Sequence, residues 1–255
     1  MDFESSFNID RRGTNSAKWD YFGEDVLPMW VADMEFAVPP SVIESIQVRL
    51  AHPVFGYQMD APQVRTLMAE RMAARYGWTI DPDWIVPLPG LVFGLNMVVF
   101  GATAPGDAVL MMPPIYPPFF RACQNFDRTQ QMAELAPVTE GHLLHYEIDF
   151  ARLEAAITPE TRLLLFCNPH NPTGRVFTRA ELEHVAELCL RHDLIVCSDE
   201  IHSDLIYSGH KHIPIAMLSP EIAARTITLI APSKTFNIPG LGMSAAVIQD
   251  ADLRH

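Results

Sequence analysis

Five short segments constrain the fold more than any other feature of this chain. "DAVLMMP" (107–113), "TRLLLFCNP" (161–169), "LIVCSDE" (194–200), "TITLIAP" (226–232) and "GMSAAVIQ" (242–249) carry apolar residues in runs instead of at alternate positions. A strand that is apolar on both faces must be covered on both faces, which is the condition of a parallel sheet sandwiched between helices. The segments between them have helical spacing. "PPSVIESIQVRLAH" (39–52) opens on prolines, and "APQVRTLMAERMAARYG" (61–77) closes on Gly77. "LVFGLNMVVFGA" (91–102) and "PPFFRACQNF" (117–126) follow, and "TRAELEHVAELCLRHD" (178–193) begins with a T-x-x-E capping box, Thr178 to Glu181. "WIVPL" (84–88) adds one more short strand. The pattern predicts an α/β fold, a three-layer αβα sandwich around a mostly parallel sheet. Residues 1–38 are irregular and rich in aromatic and acidic residues, and read as an N-terminal arm or partial small domain. Residues 39–255 read as one large domain.

Composition narrows the partners. With 49% hydrophobic residues in 255, the chain can bury a large core. Its net charge of −13 argues against a general nucleic-acid or anionic-membrane surface, while leaving room for one bound phosphate. The N-terminus lacks the basic-then-apolar pattern of a signal peptide, and the longest apolar stretch, at 91–104, is too short and interrupted to span a bilayer. Cys123, Cys167, Cys189 and Cys197 form no C-x-x-C pair, which fits a reducing cytoplasm.

In open α/β sheets ligands sit beyond the carboxyl ends of the strands. Three polar clusters fall there: "NPHNPTG" (168–174), "SDEIH" (198–202) and "SKTFN" (233–237). Taken singly, each has an ordinary structural explanation. Lys234 is a lysine at a strand end, where most lysines are exposed. Asp199 can cap a turn, and Asn-Pro-Gly combinations make rigid loops. Gly90 before a helix is a common strand-to-helix turn, and Tyr116, in "PPIYPPF", can be core. Each also has a chemical use. A desolvated lysine is a Schiff-base nucleophile, and a carboxylate can keep a pyridine ring nitrogen protonated. The Asn171 amide can donate to a phenolate oxygen. Backbone N–H groups after Gly90 can meet a phosphate, and Tyr116 can be a platform for a flat ring.

From "RRGTNSAKWD" (11–20) through "SKTFNIPGLG" (233–242), with "WVADMEF", "VFGY", "NPHNPTG", "SDEIHSDLI" and "SKTFN" in that order, the chain resembles the fold-type I enzymes that use pyridoxal 5′-phosphate (PLP), in the aminotransferase class I/II superfamily. "LPMWVADMEF", "HPVFGY", "SDEIHSDL" and "APSKTFNIPG" are most similar to the carbon–sulfur lyases of the cystathionine β-lyase type. The resemblance implies that Lys234 carries the cofactor and moves the Cα proton of the substrate. It implies that Asp199 pairs with the ring nitrogen, that Asn171 binds the ring oxygen with His202 close by, and that Tyr116 stacks on the ring. Gly90, Leu91, Val92 and Ser233 would hold the phosphate. Tyr57 would reach the phosphate of a second subunit, so a homodimer is expected. The implied reaction is β-elimination from a cysteine S-conjugate such as L-cystathionine, giving a thiol, pyruvate and ammonia. An aminotransferase would use the same residue types.

The sequence departs from the family at one point. Family members are longer, and their C-terminal small domain supplies an arginine for the substrate carboxylate. This chain ends at "VIQDADLRH" with no residue matching that arginine, so it is read as C-terminally truncated. A non-catalytic PLP-fold regulator is therefore an alternative. Two further rivals have weaker support. A metal hydrolase would draw on "DEIHSD" with His210 and His212, but no H-E-x-x-H is present. A nicotinamide enzyme would need a G-x-G-x-x-G after a strand, which is absent.

Overall fold

The computed structural model describes residues 9–57 and 59–255. The chain divides into two compact units: 1–60 with 232–242, and 61–231 with 243–255.

In the first unit the helix α1 (Pro40–Leu50) begins on Pro40 and buries none of its side chains, and a single 3-10 turn spans Pro239–Leu241. The segment before it is held by a charge cluster. Arg11 is paired with Asp33 and, at 3.1 Å, with Glu35. Lys18 Nζ lies 2.6 Å from Glu35 and donates to the Asp33 carbonyl at 2.9 Å. Trp19 Nε1 donates to Glu35 at 3.0 Å. These are charge-assisted bonds in a partly exposed cluster, in which Lys18 is the most buried member. The 232–242 segment is a tight excursion in which Phe236 N donates to Pro232 O at 3.0 Å and Ile238 N to Ser233 O at 2.9 Å.

The second unit runs α2 (Pro62–Tyr76), β1 (Ile85–Leu88), α3 (Leu91–Ala102), β2 (Ala108–Met111), α4 (Pro118–Asn125), β3 (Thr129–Met132), β4 (Ala136–Glu140), β5 (Leu143–Glu147), α5 (Phe150–Ala155), β6 (Thr161–Cys167), α6 (Arg179–Arg191), β7 (Ile195–Asp199), α7 (Pro220–Ala223), β8 (Thr226–Ile230), β9 (Ser244–Ile248) and α8 (Ala251–Arg254). Seven strands form a sheet in the order β1-β9-β8-β7-β6-β2-β3, while β4 and β5 pair as a separate antiparallel hairpin. β8, β7, β6, β2 and β3 are mutually parallel, and β9 runs antiparallel to both β8 and β1. The expected mostly parallel α/β sheet is therefore present.

Strand residues alternate between two buried faces, as the period of two requires. Val109, Met111, Leu163 and Leu165 pack with Leu95, Val99 and Phe119 from α3 and α4. Leu110, Leu164, Phe166 and Val196 pack with Leu182, Val185 and Cys189 from α6. Fully burying each such side chain contributes about 1.5–3 kcal/mol. α3 rides unusually close to the sheet at Gly94, where a Cβ would lie 2.7 Å from Leu88 Cδ1 and 3.3 Å from Leu229 Cδ2. α2 ends in the left-handed Gly77 (φ +70°), and α6 starts with the reciprocal Thr178–Glu181 capping box, both as the sequence pattern requires.

Candidate functional site

The site is built at the carboxyl edge of the sheet of the second unit. β6 and β7 are in register with Cys167 opposite Asp199, and Asn168 N donates to the Asp199 carbonyl at 3.0 Å. The loop leaving β6 therefore starts beside the aspartate at the end of β7. Asp199 is 3% exposed, and its Oδ1 accepts from Ile201 N at 3.1 Å. A carboxylate this buried acts on its surroundings through a low dielectric. Burial and then the Asp199 charge raise the Tyr116 hydroxyl, with Arg121 opposing. The same two causes push the Cys167 and Cys197 thiols well above their usual range. Both cysteines therefore stay protonated and serve as packing groups.

The "NPHNPTG" loop is tied down at several points. Phe177 N donates to Asn168 Oδ1 at 3.1 Å, His170 N to Arg175 O at 2.7 Å, and Gly174 N to His170 O at 2.8 Å. Asn171 N reaches Cys167 Sγ at 3.4 Å, so the thiol fixes the backbone of the half-buried asparagine. His170 is buried with Nδ1 2.9 Å from Thr173 Oγ1. Burial, assisted by Arg175, pushes it down to about 4, so the ring is neutral at physiological pH. Tyr116 follows β2, the strand next to β6 on the side away from β7.

β1 is antiparallel to β9, which is antiparallel to β8, so the end of β1 opens on the same edge as Asp199. Gly90 is the N-cap of α3 and offers no side-chain cap. The N–H of Gly94 closes the first helical bond, to Gly90 O at 3.0 Å, and those of Leu91, Val92 and Phe93 have no acceptor within the helix. Apart from Gly90 and its chain neighbours, no atom lies within 4 Å of where a Gly90 Cβ would be. An uncapped helix N-terminus with open space before it is suited to an anion.

The structure thus gathers Asp199, Asn171, Tyr116 and the Gly90–Val92 turn at one sheet edge. His202 is half-buried, three residues beyond Asp199. Ser233, Lys234 and Tyr57 belong to the first unit. Ser233 and Lys234 lie in the turn closed by the Phe236 and Ile238 amides, and Tyr57 is fully exposed.

Three features escaped the sequence reading. Glu200, next to Asp199, is buried with its carboxylate between His212 Nε2 at 2.7 Å and Ser198 Oγ at 2.9 Å. The Tyr76 ring packs edge-on to the His212 imidazole at 5.3 Å. His212, considered from the sequence as a metal ligand, is thus engaged with a carboxylate, and among the described residues no group of three His, Cys, Asp or Glu could hold a metal ion. A further cluster joins Asp204 to Arg71 at 2.5 Å, Arg75 at 3.2 Å and Tyr76 Oη at 2.8 Å. Burial, together with Asp204, pushes that tyrosine up to about 12. The third is Asn237, whose side chain bonds to Met34 and Phe36. Among the described residues no helix is long and apolar enough to cross a membrane.

The sequence profile described as "Aminotransferase class I and II" matches residues 24–254. The chain is 43% identical over 262 residues to cystathionine beta-lyase PatB of Bacillus subtilis, covering 95% of this chain and 64% of that protein. Among solved structures it is similar to OvoB, with TM-score 0.92 and 43% identity over 98% of this chain and 65% of the other. It is also similar to cystalysin from Treponema denticola, a structure containing pyridoxal 5′-phosphate, with TM-score 0.90 and 38% identity over 98% of this chain and 64% of the other. The chain spans just under two thirds of the length of these relatives.

Proposed function

We propose, from the premise that this chain belongs to the aminotransferase class I and II family, that it forms the PLP-holding part of a carbon–sulfur β-lyase. The substrate class is a cysteine S-conjugate such as L-cystathionine. The overall conversion takes one water and yields a thiol, pyruvate and ammonia. The observation that carries the reading is the buried Asp199 carboxylate, in register beside the Asn171 loop and on the same sheet edge as the uncapped α3 N-terminus. This donor set fits PLP: an anion for a protonated ring nitrogen, an amide for the ring oxygen, a phenol for the ring face, and free N–H groups for the phosphate. PLP, when bound, supplies a sink for the electron pair left at Cα.

The remaining roles belong to the chain's own side chains. Asp199 holds a proton at the ring nitrogen. Gly90, Leu91 and Val92 present backbone N–H groups to the phosphate, and Ser233 adds a hydroxyl. Asn171 orients the ring, with His202 nearby. Lys234 anchors the cofactor and takes the Cα proton. The similarity to PatB favours elimination over amino transfer. A homodimer is part of the proposal, with Tyr57 reaching a second subunit. It is supported by large exposed apolar side chains such as Leu27, Met29, Phe55 and Tyr57. A cytoplasmic setting suits four buried, unbridged cysteines.

The test is spectroscopic and then chemical. The chain titrated with PLP should gain a visible band that borohydride removes and that Lys234→Ala lacks. With L-cystathionine it should release thiol and pyruvate in equal amounts. Absence of the band would refute the cofactor assignment. Amino transfer to a 2-oxo acid without thiol release would move the reading to an aminotransferase.

A further inference from the structure

The side chain of Asn237 ties the lysine loop to the segment 31–36. Its Oδ1 accepts from Met34 N at 2.9 Å, and its Nδ2 donates to Met34 O at 3.0 Å and to Phe36 O at 2.7 Å. These partners are 203 and 201 residues away in sequence. One amide therefore pairs with the backbone of a distant strand of chain as a neighbouring strand would, using its acceptor and both donors. The residue adopts φ +54°, a left-handed conformation that asparagine tolerates better than most residues. It lies within the turn that holds Lys234, between Phe236 and Ile238, whose N–H groups close the turn onto Pro232 O and Ser233 O.

The far side of segment 31–36 is equally fixed. Asp33 and Glu35 flank Met34 and are held by Arg11, Lys18 and Trp19. Met34 O also receives Arg11 Nη1 at 3.3 Å. A continuous chain of hydrogen bonds thus leads from the turn around Lys234, through one amide, to the charge cluster of the N-terminal arm.

We propose that Asn237 is a positioning residue: it latches the lysine loop to segment 31–36, so that loading a group onto Lys234 is transmitted to the N-terminal arm. The transmission half rests on the proposed function, because it takes Lys234 as the cofactor lysine. The latch itself does not.

The test uses hydrogen–deuterium exchange with Asn237→Gly and Asn237→Asp. Glycine removes the amide while accepting the left-handed backbone. Aspartate keeps an acceptor for Met34 N but turns both donors into an anion facing two carbonyls. Without cofactor, peptides covering 31–36 should exchange at least tenfold faster in N237G than in wild type, with N237D intermediate or worse. Equal exchange would overturn the latch. With PLP added and trapped by borohydride at Lys234, wild type should show further slowing across 31–36. N237G, trapped at the same lysine, should show none. Equal slowing in both would overturn transmission through Asn237, which a merely stabilising role cannot mimic. If wild type is not trapped at Lys234 at all, the cofactor assignment fails and transmission falls with it, while the cofactor-free comparison still decides the latch.

Discussion

Removal of His212 should destabilise the second unit more than any loss of a surface ion pair. Its side chain is fully buried, and Glu200 is 2% exposed, with Nε2 and Oε2 2.7 Å apart. If His212 becomes alanine, the Glu200 carboxylate keeps only the Ser198 hydroxyl among these partners. Breaking a buried pair by deleting one member costs about 3–5 kcal/mol, because the remaining group is desolvated without compensation. Loss of the edge-on contact with Tyr76 adds about 0.5–1.5 kcal/mol. Glu200→Gln is milder. It removes the charge but keeps a group that can accept from the imidazole, so about 1.5–3 kcal/mol is at stake, the worth of a hydrogen bond to a charged group. The expected order of stability is wild type, then E200Q, then H212A. The double variant should fall short of the sum by at least about 1 kcal/mol, because the two residues share one interaction. Urea unfolding of the four proteins, followed by far-UV circular dichroism and by tryptophan fluorescence, gives the cycle. Losses under about 1 kcal/mol for H212A, or additivity of the two changes, would refute the reasoning.

Other outcomes follow from the same structure. His170 has its pKa lowered to about 4 in the folded chain from an ordinary 6.5. The unfolded chain therefore takes up the proton first, and stability complete above pH 6.5 is lost as pH falls toward 4. The total is about 3 kcal/mol, at 1.36 kcal/mol per unit; urea midpoints at pH 7 and pH 5 should diverge less in His170→Asn than in wild type. Thr178→Ala removes the cap of α6 and should cost about 1 kcal/mol by the same urea assay. If the proposed function holds, Asp199→Asn should lower thiol release about 100-fold or more, the scale for losing one electrostatic partner of a developing charge. Steady-state assays on the PLP-loaded protein would show it.

The apolar interior was legible because its code is local. β6, β7 and β8 are runs of buried side chains, and α6 announces itself through Thr178 and Glu181. Strands that obey a different logic were missed. β3, "TQQM", lies at the sheet edge, and β4 and β5 form a hairpin outside the sheet, so none needs an apolar run. The direction of β9 was also hidden, since a fully buried strand looks the same whichever way it runs. Among the candidate site residues, Asp199 stood out because it ends a strand, and Asn171 and Gly90 because they lie just beyond strand ends. Glu200 sat inside a quoted motif, but its partner lies 12 residues on, across a loop. Asn237 gave still less warning, because the backbone it grips is about 200 residues earlier.

The reversed course of β9 has a consequence for how such a chain can vary. β8 and β9 are hydrogen-bonded neighbours, with Ile230 opposite Ala245. Everything between them, Lys234 included, is the connector of an oversized hairpin whose stems stand side by side in the sheet. Doubling the length of such a connector adds only about 0.6 kcal/mol of closure entropy. Changes of length in the connector therefore leave the register of β8 against β9 intact, and what fixes the lysine segment is its own turn bonds and the grip of Asn237, not the length of chain between the stems.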